Sequence, residues 1–137
     1  MSVFVFTEKD LNRRKILAAG WYSAEVTGVS EKANNKGTGI NTVVSLHIAK
    51  GTKDEKEQDV FFPQDYPGLA IPFIEAVYDC QVESGKQYRL DGSIIGAKLQ
   101  VELDRSILPK KSPAARDVLV NGIIRYATKD TDTSVPF

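Results

Sequence analysis

The chain has 137 residues with 18 basic and 18 acidic side chains, and 42% of its residues are hydrophobic. This size and balance are typical of a single globular domain, which excludes a largely disordered chain and a collagen-like repeat. No apolar run approaches the roughly 20 residues of a membrane-spanning helix, and residues 1–6 lack the basic region and cleavage site of a secretory signal. A single cysteine excludes an internal disulfide and is typical of a reducing compartment, so we expect a cytoplasmic protein.

Alternating apolar and polar residues predict the first two strands of the chain. The alternation covers residues 21–29 and again 40–50, with the period of half-buried strands. The segment between them, residues 30–39, is rich in Asn and Gly and carries Lys32 and Lys36. We therefore predict a long, flexible hairpin loop there.

The middle of the chain predicts a short strand followed by a helix. Residues 59–62 form the strand, which ends at Pro63. Apolar residues then follow helical spacing over 69–82. Because Pro72 is tolerated only in a first helical turn, the helix should start near Ala70.

The second half of the chain predicts two further strands. A turn or short helix over 91–96 is followed by a strand over 98–104, a loop over 105–116 and a last strand over 117–127. The order strand, strand, strand, helix, strand, strand is that of the five-stranded OB-fold, a Greek-key barrel. We therefore predict a mainly β fold, an OB-fold barrel over residues 1–127.

The two ends of the chain fall outside this pattern of strands. Residues 2–17 allow an additional strand and a helical turn. Residues 128–137 are polar, contain Asp130 and Asp132, and end in Val-Pro-Phe. Such a segment buries too little apolar surface to fold alone, so it predicts a disordered, flexible acidic tail.

No set of side chains in the sequence is convincing as a catalytic constellation. His47 is the single histidine and lies in the middle of a strand, and Cys80 is expected on the apolar face of the helix as a structural thiol. The segment Gly37-Thr38-Gly39 is too short for a phosphate-binding loop. One histidine and one cysteine also exclude the usual zinc clusters. We therefore expect no enzyme activity, no metal and no cofactor.

Adjacent aromatic residues on predicted strands place one ring on each face of the sheet. Trp21 and Tyr22 form one such pair, and Phe61 and Phe62 form another. Tyr22 is in register with the apolar residues of its strand, so we expect Tyr22 in the core. Exposed rings stack on the bases of single-stranded nucleic acid. The residues predicted to stack are Trp21, Phe61, Tyr66 and Tyr126.

Basic residues gather in two loops although the net charge is zero. Lys32 and Lys36 lie in the first hairpin loop, and no acidic residue separates Arg105 from Arg116 in the loop between the last two strands. In an OB-fold these two loops flank the nucleic-acid groove. The residues predicted to contact phosphates are Lys32, Lys36, Arg105, Lys110, Lys111, Arg116 and Arg125.

The last residues of the chain resemble the tail of bacterial single-stranded-DNA-binding proteins, which is acidic and closes with an aliphatic residue, Pro and Phe. The resemblance implies that this tail recruits replication or repair proteins, with the Phe137 ring and the terminal carboxylate in a basic pocket. Fewer acidic residues precede the tip than in that family. The residues implied in partner binding are Asp130, Asp132, Val135, Pro136 and Phe137.

The body of the chain resembles small bacteriophage single-stranded-DNA-binding proteins of the OB-fold type. The resemblance covers roughly residues 17–127 and includes the mid-chain helix. It is carried by the motif at 20–26, the Lys/Asn/Gly-rich segment 32–39, and residues 96–103 leading to a last strand with Asn121-Gly122. It implies a protein that coats and protects single-stranded DNA with little sequence preference. Its setting would be phage replication or recombination, in the cytoplasm of a bacterial host.

Two other functions are compatible with the sequence. One is an RNA-binding OB-fold module, which would prefer RNA over DNA only if its site used the 2′-hydroxyl. The other is a structural or protein-interaction β-barrel domain without a nucleic-acid role, which the zero net charge favours. A domain without a nucleic-acid role should not bind poly-dT at low salt, whereas a DNA-binding or RNA-binding OB-fold should.

Overall fold

The computed structural model describes residues 2–13, 15–33, 37, 39–108 and 118–133. Within these residues, five antiparallel strands form one sheet, with a helix between the third and fourth strands, which confirms the prediction of a mainly β fold. The strands are β1 (Gly20–Ala33), β2 (Ile40–Ile48), β3 (Lys56–Pro63), β4 (Lys98–Leu108) and β5 (Val118–Thr128). Their order in the sheet is β3-β2-β1-β4-β5.

Strands β1 and β4 are longer than the alternating pattern predicts. β1 continues to Ala33, which pairs with Ile40, so the β1–β2 connection is shorter than the predicted loop. β4 continues to Leu108, which pairs with Val118, so Arg105 lies in a strand and not in the predicted loop. Backbone hydrogen bonds across each hairpin extend these strands beyond the residues whose side chains alternate.

The helix α2 (Ile71–Tyr78) begins where the sequence predicts and ends earlier. Pro72 lies in its first turn, where the missing N–H has no helical partner to lose. Asp79 takes the left-handed backbone conformation, with φ 50°, and ends the helix before the predicted residue 82. Cys80 therefore follows the helix, half-buried, instead of lying on its apolar face.

Phe73 joins α2 to the sheet at the centre of the hydrophobic core. Its side chain is fully buried, and its ring centroid lies 5.1 Å from that of Phe62 and 5.4 Å from that of Tyr126. One face of each strand completes this core. The other buried members are Leu17, Ala24, Val26, Val44, Leu46, Ile48, Ala49, Ala70, Ala76, Ile94, Leu99, Val101 and Leu103.

The outermost strands, β3 and β5, are not joined by a backbone ladder within the described residues, so a closed barrel is not established. Side chains connect the two strands instead. The Gln58 amide donates to the backbone carbonyl of Asn121 at 3.2 Å, and Lys56 Nζ lies 3.5 Å from Asn121 Oδ1. We call this contact between β3 and β5, with Leu17 packed into it, the seam; its residues are Leu17, Lys56, Gln58 and Asn121.

The segment before β1 fills the seam. The Leu17 N–H donates to Asn121 Oδ1 at 2.7 Å, and the Leu17 carbonyl accepts from Asn121 Nδ2 at 3.0 Å. Lys56 Nζ donates to the Lys15 carbonyl at 2.7 Å. Lys56 is buried, and this burial lowers the pKa of its ammonium group. Asn121 therefore ties β5 to the segment before β1.

Residues 2–13 lie outside the core. No strand forms over residues 3–6, but the expected helical turn is present as α1 (Glu8–Arg13), which lies beside β3. Thr7 caps α1, because its hydroxyl accepts from the Asp10 N–H at 3.2 Å and its own N–H donates to the Asp10 carboxylate at 2.9 Å. No helix of the described residues is long and apolar enough to cross a membrane.

Candidate nucleic-acid interface

Each strand turns one set of side chains toward the core and the other set outward. Tyr22, Ala24 and Val26 of β1 face the core, so the residues that alternate with them face outward. Cross-strand partners share a face, which extends this assignment across the sheet. The outward side chains form what we call the outer face: Trp21, Ser23, Glu25, Ser30, Lys32, Val43, Ser45, His47, Glu57, Phe61, Lys98, Gln100, Glu102 and Arg125.

Two of the residues predicted to stack on bases have widely open rings. Phe61 is 50% exposed on the outer face, whereas its neighbour Phe62 is buried in the core, which confirms that this pair divides between the faces. Tyr66 is 70% exposed and follows β3 directly, with its N–H donating to the Pro63 carbonyl at 3.1 Å. These two rings mark the end of β3 as the most open aromatic surface near the outer face.

The first aromatic pair also divides between the faces. Tyr22 packs against the core, as predicted, and its hydroxyl donates to the Ala18 carbonyl at 2.7 Å. Trp21 lies on the outer face beside Glu102 and is partly buried. The Trp21 ring is therefore less open than that of Phe61.

Tyr126 faces the core, which corrects the prediction that it stacks on bases. A bulge between Glu102 and Leu103 shifts the pairing with β5, so that Ile123 pairs with Leu103 and Arg125 with Glu102. The bulge lets Ile123 and Tyr126 both face inward. The Tyr126 ring meets Phe73 edge to face, and burial raises the pKa of Tyr126 to about 12.

The raised pKa of Tyr126 predicts a loss of stability in alkali. Its value in the unfolded chain is 10.0, so the neutral folded form is fully stabilised below pH 10 and loses that stability as the pH rises toward 12. We expect wild type to lose about 2–3 kcal/mol more than Tyr126→Phe over this window. Urea denaturation of both proteins from neutral pH to pH 12 measures the difference. Identical pH profiles would contradict the burial of the hydroxyl.

Three of the seven basic residues of the prediction lie in the described part of the chain. Lys32 is exposed on the outer face, opposite Asn41 in the β1–β2 hairpin. Arg105 is exposed, and its Nε donates to the Leu17 carbonyl at 3.1 Å, so it also holds the segment at the seam. Arg125 forms an ion pair with Glu102 on the outer face. The remaining predicted residues lie outside the described part of the chain: Lys36, Lys110, Lys111 and Arg116.

Two further cations on this side of the sheet were not among the predicted phosphate contacts. Lys50 and Lys98 line a cavity of about 320 Å³ together with Glu25 and His47. Lys50 Nζ lies 3.7 Å from the Glu25 carboxylate, and His47 pairs with Glu55. The alternation of its strand already indicates from the sequence that Lys98 faces outward, where it could contact a phosphate. The outer face thus carries cations and carboxylates side by side.

The segment after β5 covers part of the outer face at Gln100. Gln100 is only 1% exposed, and its amide donates to the carbonyls of Thr128 at 2.9 Å and Thr131 at 2.6 Å. Thr133 also hydrogen-bonds to Gln100. The predicted flexible tail begins at Thr128. In the structure, Thr128 belongs to β5, and the segment that follows is fixed as far as Thr133 by its hydrogen bonds to Gln100. Of the implied partner-binding residues, Asp130 and Asp132 are exposed, whereas Val135, Pro136 and Phe137 lie outside the described residues.

Comparisons with known proteins assign the chain to no family. No protein-family profile matches it, and no curated protein is significantly similar to it. Among the described residues, no group of three or more His, Cys, Asp or Glu side chains suits a metal ion. The candidate interface therefore rests on its own geometry, which combines open aromatic rings with exposed cations on a strand surface.

Proposed function

We propose that the protein binds single-stranded DNA on its outer face with little sequence preference. The observation that carries the proposal is the half-exposed ring of Phe61, with the open ring of Tyr66 just beyond the same strand. Exposed Lys32 lies across β2 from β3, on the same outer face. Stacking on flat rings and cation contacts with phosphates are the interactions that single-strand binding requires.

The proposal includes an OB-fold for the domain. Its support is the strand order β3-β2-β1-β4-β5 with α2 between β3 and β4, together with the seam, which brings the two outer strands together. In OB-folds, the face of the second and third strands binds oligonucleotides with the help of the β1–β2 and β4–β5 loops. Phe61 lies on that face, and the basic segments with Lys36 and with Lys110 and Lys111 belong to those two connections.

The biological role we propose is coating of single-stranded DNA during phage replication or recombination. It rests on the resemblance of residues 17–127 to phage proteins of this type. In the same proposal, the end of the chain recruits replication or repair proteins through Phe137. Exposed Asp130 and Asp132 precede that tip and are compatible with a basic pocket on the partner.

Replacing Phe61 by alanine should weaken binding of poly-dT about 5- to 150-fold, because one base–aromatic stack contributes roughly 1–3 kcal/mol. Leu11→Ala is the control, since Leu11 is also widely exposed but lies in α1, outside the outer face. Fluorescence anisotropy of labelled poly-dT measures both affinities at low salt. Both variants should unfold like wild type, because neither side chain is buried.

The same assay separates the proposed function from its alternatives. Tighter binding of poly-U than of poly-dT would indicate an RNA-binding module that uses the 2′-hydroxyl. No binding of either polymer at low salt would contradict the proposal and favour a protein-interaction domain. If Phe61→Ala and Leu11→Ala weaken binding equally, the outer face is not the DNA-binding site.

A further inference from the structure

Residues 3–6 form the most exposed apolar segment of the described chain. Val3, Phe4, Val5 and Phe6 are 79%, 76%, 87% and 67% exposed, respectively. Isolated exposed apolar side chains are ordinary, but a continuous run of them marks an interaction surface. This segment has no role in the proposed DNA interface or in the core.

The geometry of this segment is that of a strand without a partner. The rings of Phe4 and Phe6 stack with centroids 6.4 Å apart and 10° between their planes, so they lie on the same side of an extended chain. The two valines alternate with them. Since Thr7 caps α1, the extended segment ends there. Valine and phenylalanine favour strands, and a strand that is apolar on both sides is typically covered on both sides.

The same chain offers a free strand edge that fits such a segment. β1 pairs with β4 only as far as Glu25, and Val26 then exchanges backbone hydrogen bonds with Gly96 and Ala97. From Gly28 to Ala33, β1 pairs with β2 alone in the described part of the chain. The edge over residues 28–33 thus has backbone groups on the side away from β2 available for another strand. An exposed apolar side chain lies near each end of this edge. Ile95 lies at the Val26 end, since its neighbour Gly96 donates to the Val26 carbonyl, and Ile40 of β2 lies at the other end, where it pairs with Ala33.

We propose that residues 3–6 of one copy add as a strand to the β1 edge, residues 28–33, of a second copy of this chain. A second copy is the occupant because α1, from which the segment extends, lies beside β3, whereas the free edge of β1 faces away from β2 and β3. Strand addition supplies backbone hydrogen bonds for affinity and side-chain contacts for specificity. This inference does not depend on DNA binding.

A reciprocal exchange has the size that a stable dimer requires. Each copy donates Phe4 and Phe6, and an aromatic ring buries about 150–250 Å², so the donated rings alone bury roughly 600–1,000 Å². An equal area on the acceptor surfaces brings the total near the roughly 1,200–2,000 Å² of a stable interface. A two-fold symmetric dimer places the same segment and the same edge on both copies.

Sedimentation velocity of the full chain, without nucleic acid, tests the proposal. We expect wild type to form a dimer as its concentration rises, and the double variant Phe4→Ser, Phe6→Ser to stay monomeric. Val5→Pro keeps both rings but removes a strand N–H, so it should also abolish the dimer. Leu11→Ser is the matched control; Leu11 is 56% exposed but outside the segment, and its variant should dimerise like wild type.

Three outcomes would overturn the inference. A wild-type protein that stays monomeric at every concentration excludes the exchange, and so does a dimer that survives the double phenylalanine variant. A dimer that tolerates Val5→Pro excludes strand pairing. Oxidative cross-linking of Val5→Cys to Lys32→Cys in a Cys80→Ser background then tests the edge, since disulfide-linked dimers support β1 and their absence overturns that assignment.

Discussion

Replacing Phe73 by alanine should lower the free energy of unfolding by about 3–5 kcal/mol, the usual cost of deleting a buried aromatic ring. Phe73 is 0% exposed, and its ring contacts both Phe62 of β3 and Tyr126 of β5. Ala76 is the only other buried residue of α2, so the Phe73 ring makes the main contact between the helix and the sheet. The cavity left by the substitution lies where strands from both edges of the sheet meet.

Urea denaturation monitored by far-ultraviolet circular dichroism measures this loss. Tyr66→Ala is a suitable control, because its ring is widely exposed and its removal should change the unfolding free energy by less than about 0.5 kcal/mol. Phe73→Leu should lose less than Phe73→Ala, since leucine fills part of the space. A loss from Phe73→Ala no larger than that of the control would contradict the core described above.

Replacing Asn121 by alanine should lower the unfolding free energy by about 2–4 kcal/mol, because it leaves two backbone groups, one of them buried at the seam, without their hydrogen-bond partner. The Leu17 N–H loses Oδ1, at 2.7 Å, and the Asp104 carbonyl loses Nδ2, at 3.2 Å. Leu17 itself is buried, so water cannot readily replace the amide of Asn121. The Leu17 carbonyl keeps its bond from Arg105 and is less affected.

Asn41→Ala provides the matched comparison for this substitution. Asn41 is also a strand asparagine, but its side chain makes no hydrogen bond within the described residues. Asn121→Asp should lose less than Asn121→Ala, since its carboxylate still accepts from Leu17 and adds a charge near buried Lys56. Hydrogen exchange at the Leu17 amide should accelerate in Asn121→Ala alone. Equal losses from Asn41→Ala and Asn121→Ala would contradict the role of the seam.

Local physical rules determined the elements of this fold from the sequence. Alternation with a period of two placed Tyr22 on the core side and divided Phe61 from Phe62 between the two faces, because successive strand residues point to opposite faces. Pro72 located the start of α2, because proline is compatible only with a first helical turn. Phe61 and Tyr66, two of the residues predicted to stack on bases, have exposed rings, but only the folded chain decided that Phe61 and not Phe62 faces outward.

Contacts between distant residues decided what the sequence alone left open. Tyr126 pairs with buried Val101, and the Glu102/Leu103 bulge brings Ile123 to the same inward side. A bulge depends on the pairing of two strands and not on the alternation within one. Asn121 reads as an ordinary strand residue, yet it joins β5 to Leu17, 104 positions away. Gln100 reads as an outward polar residue, but the returning segment after β5 buries it. Such roles require partners that only the folded chain brings together, so no local pattern reveals them.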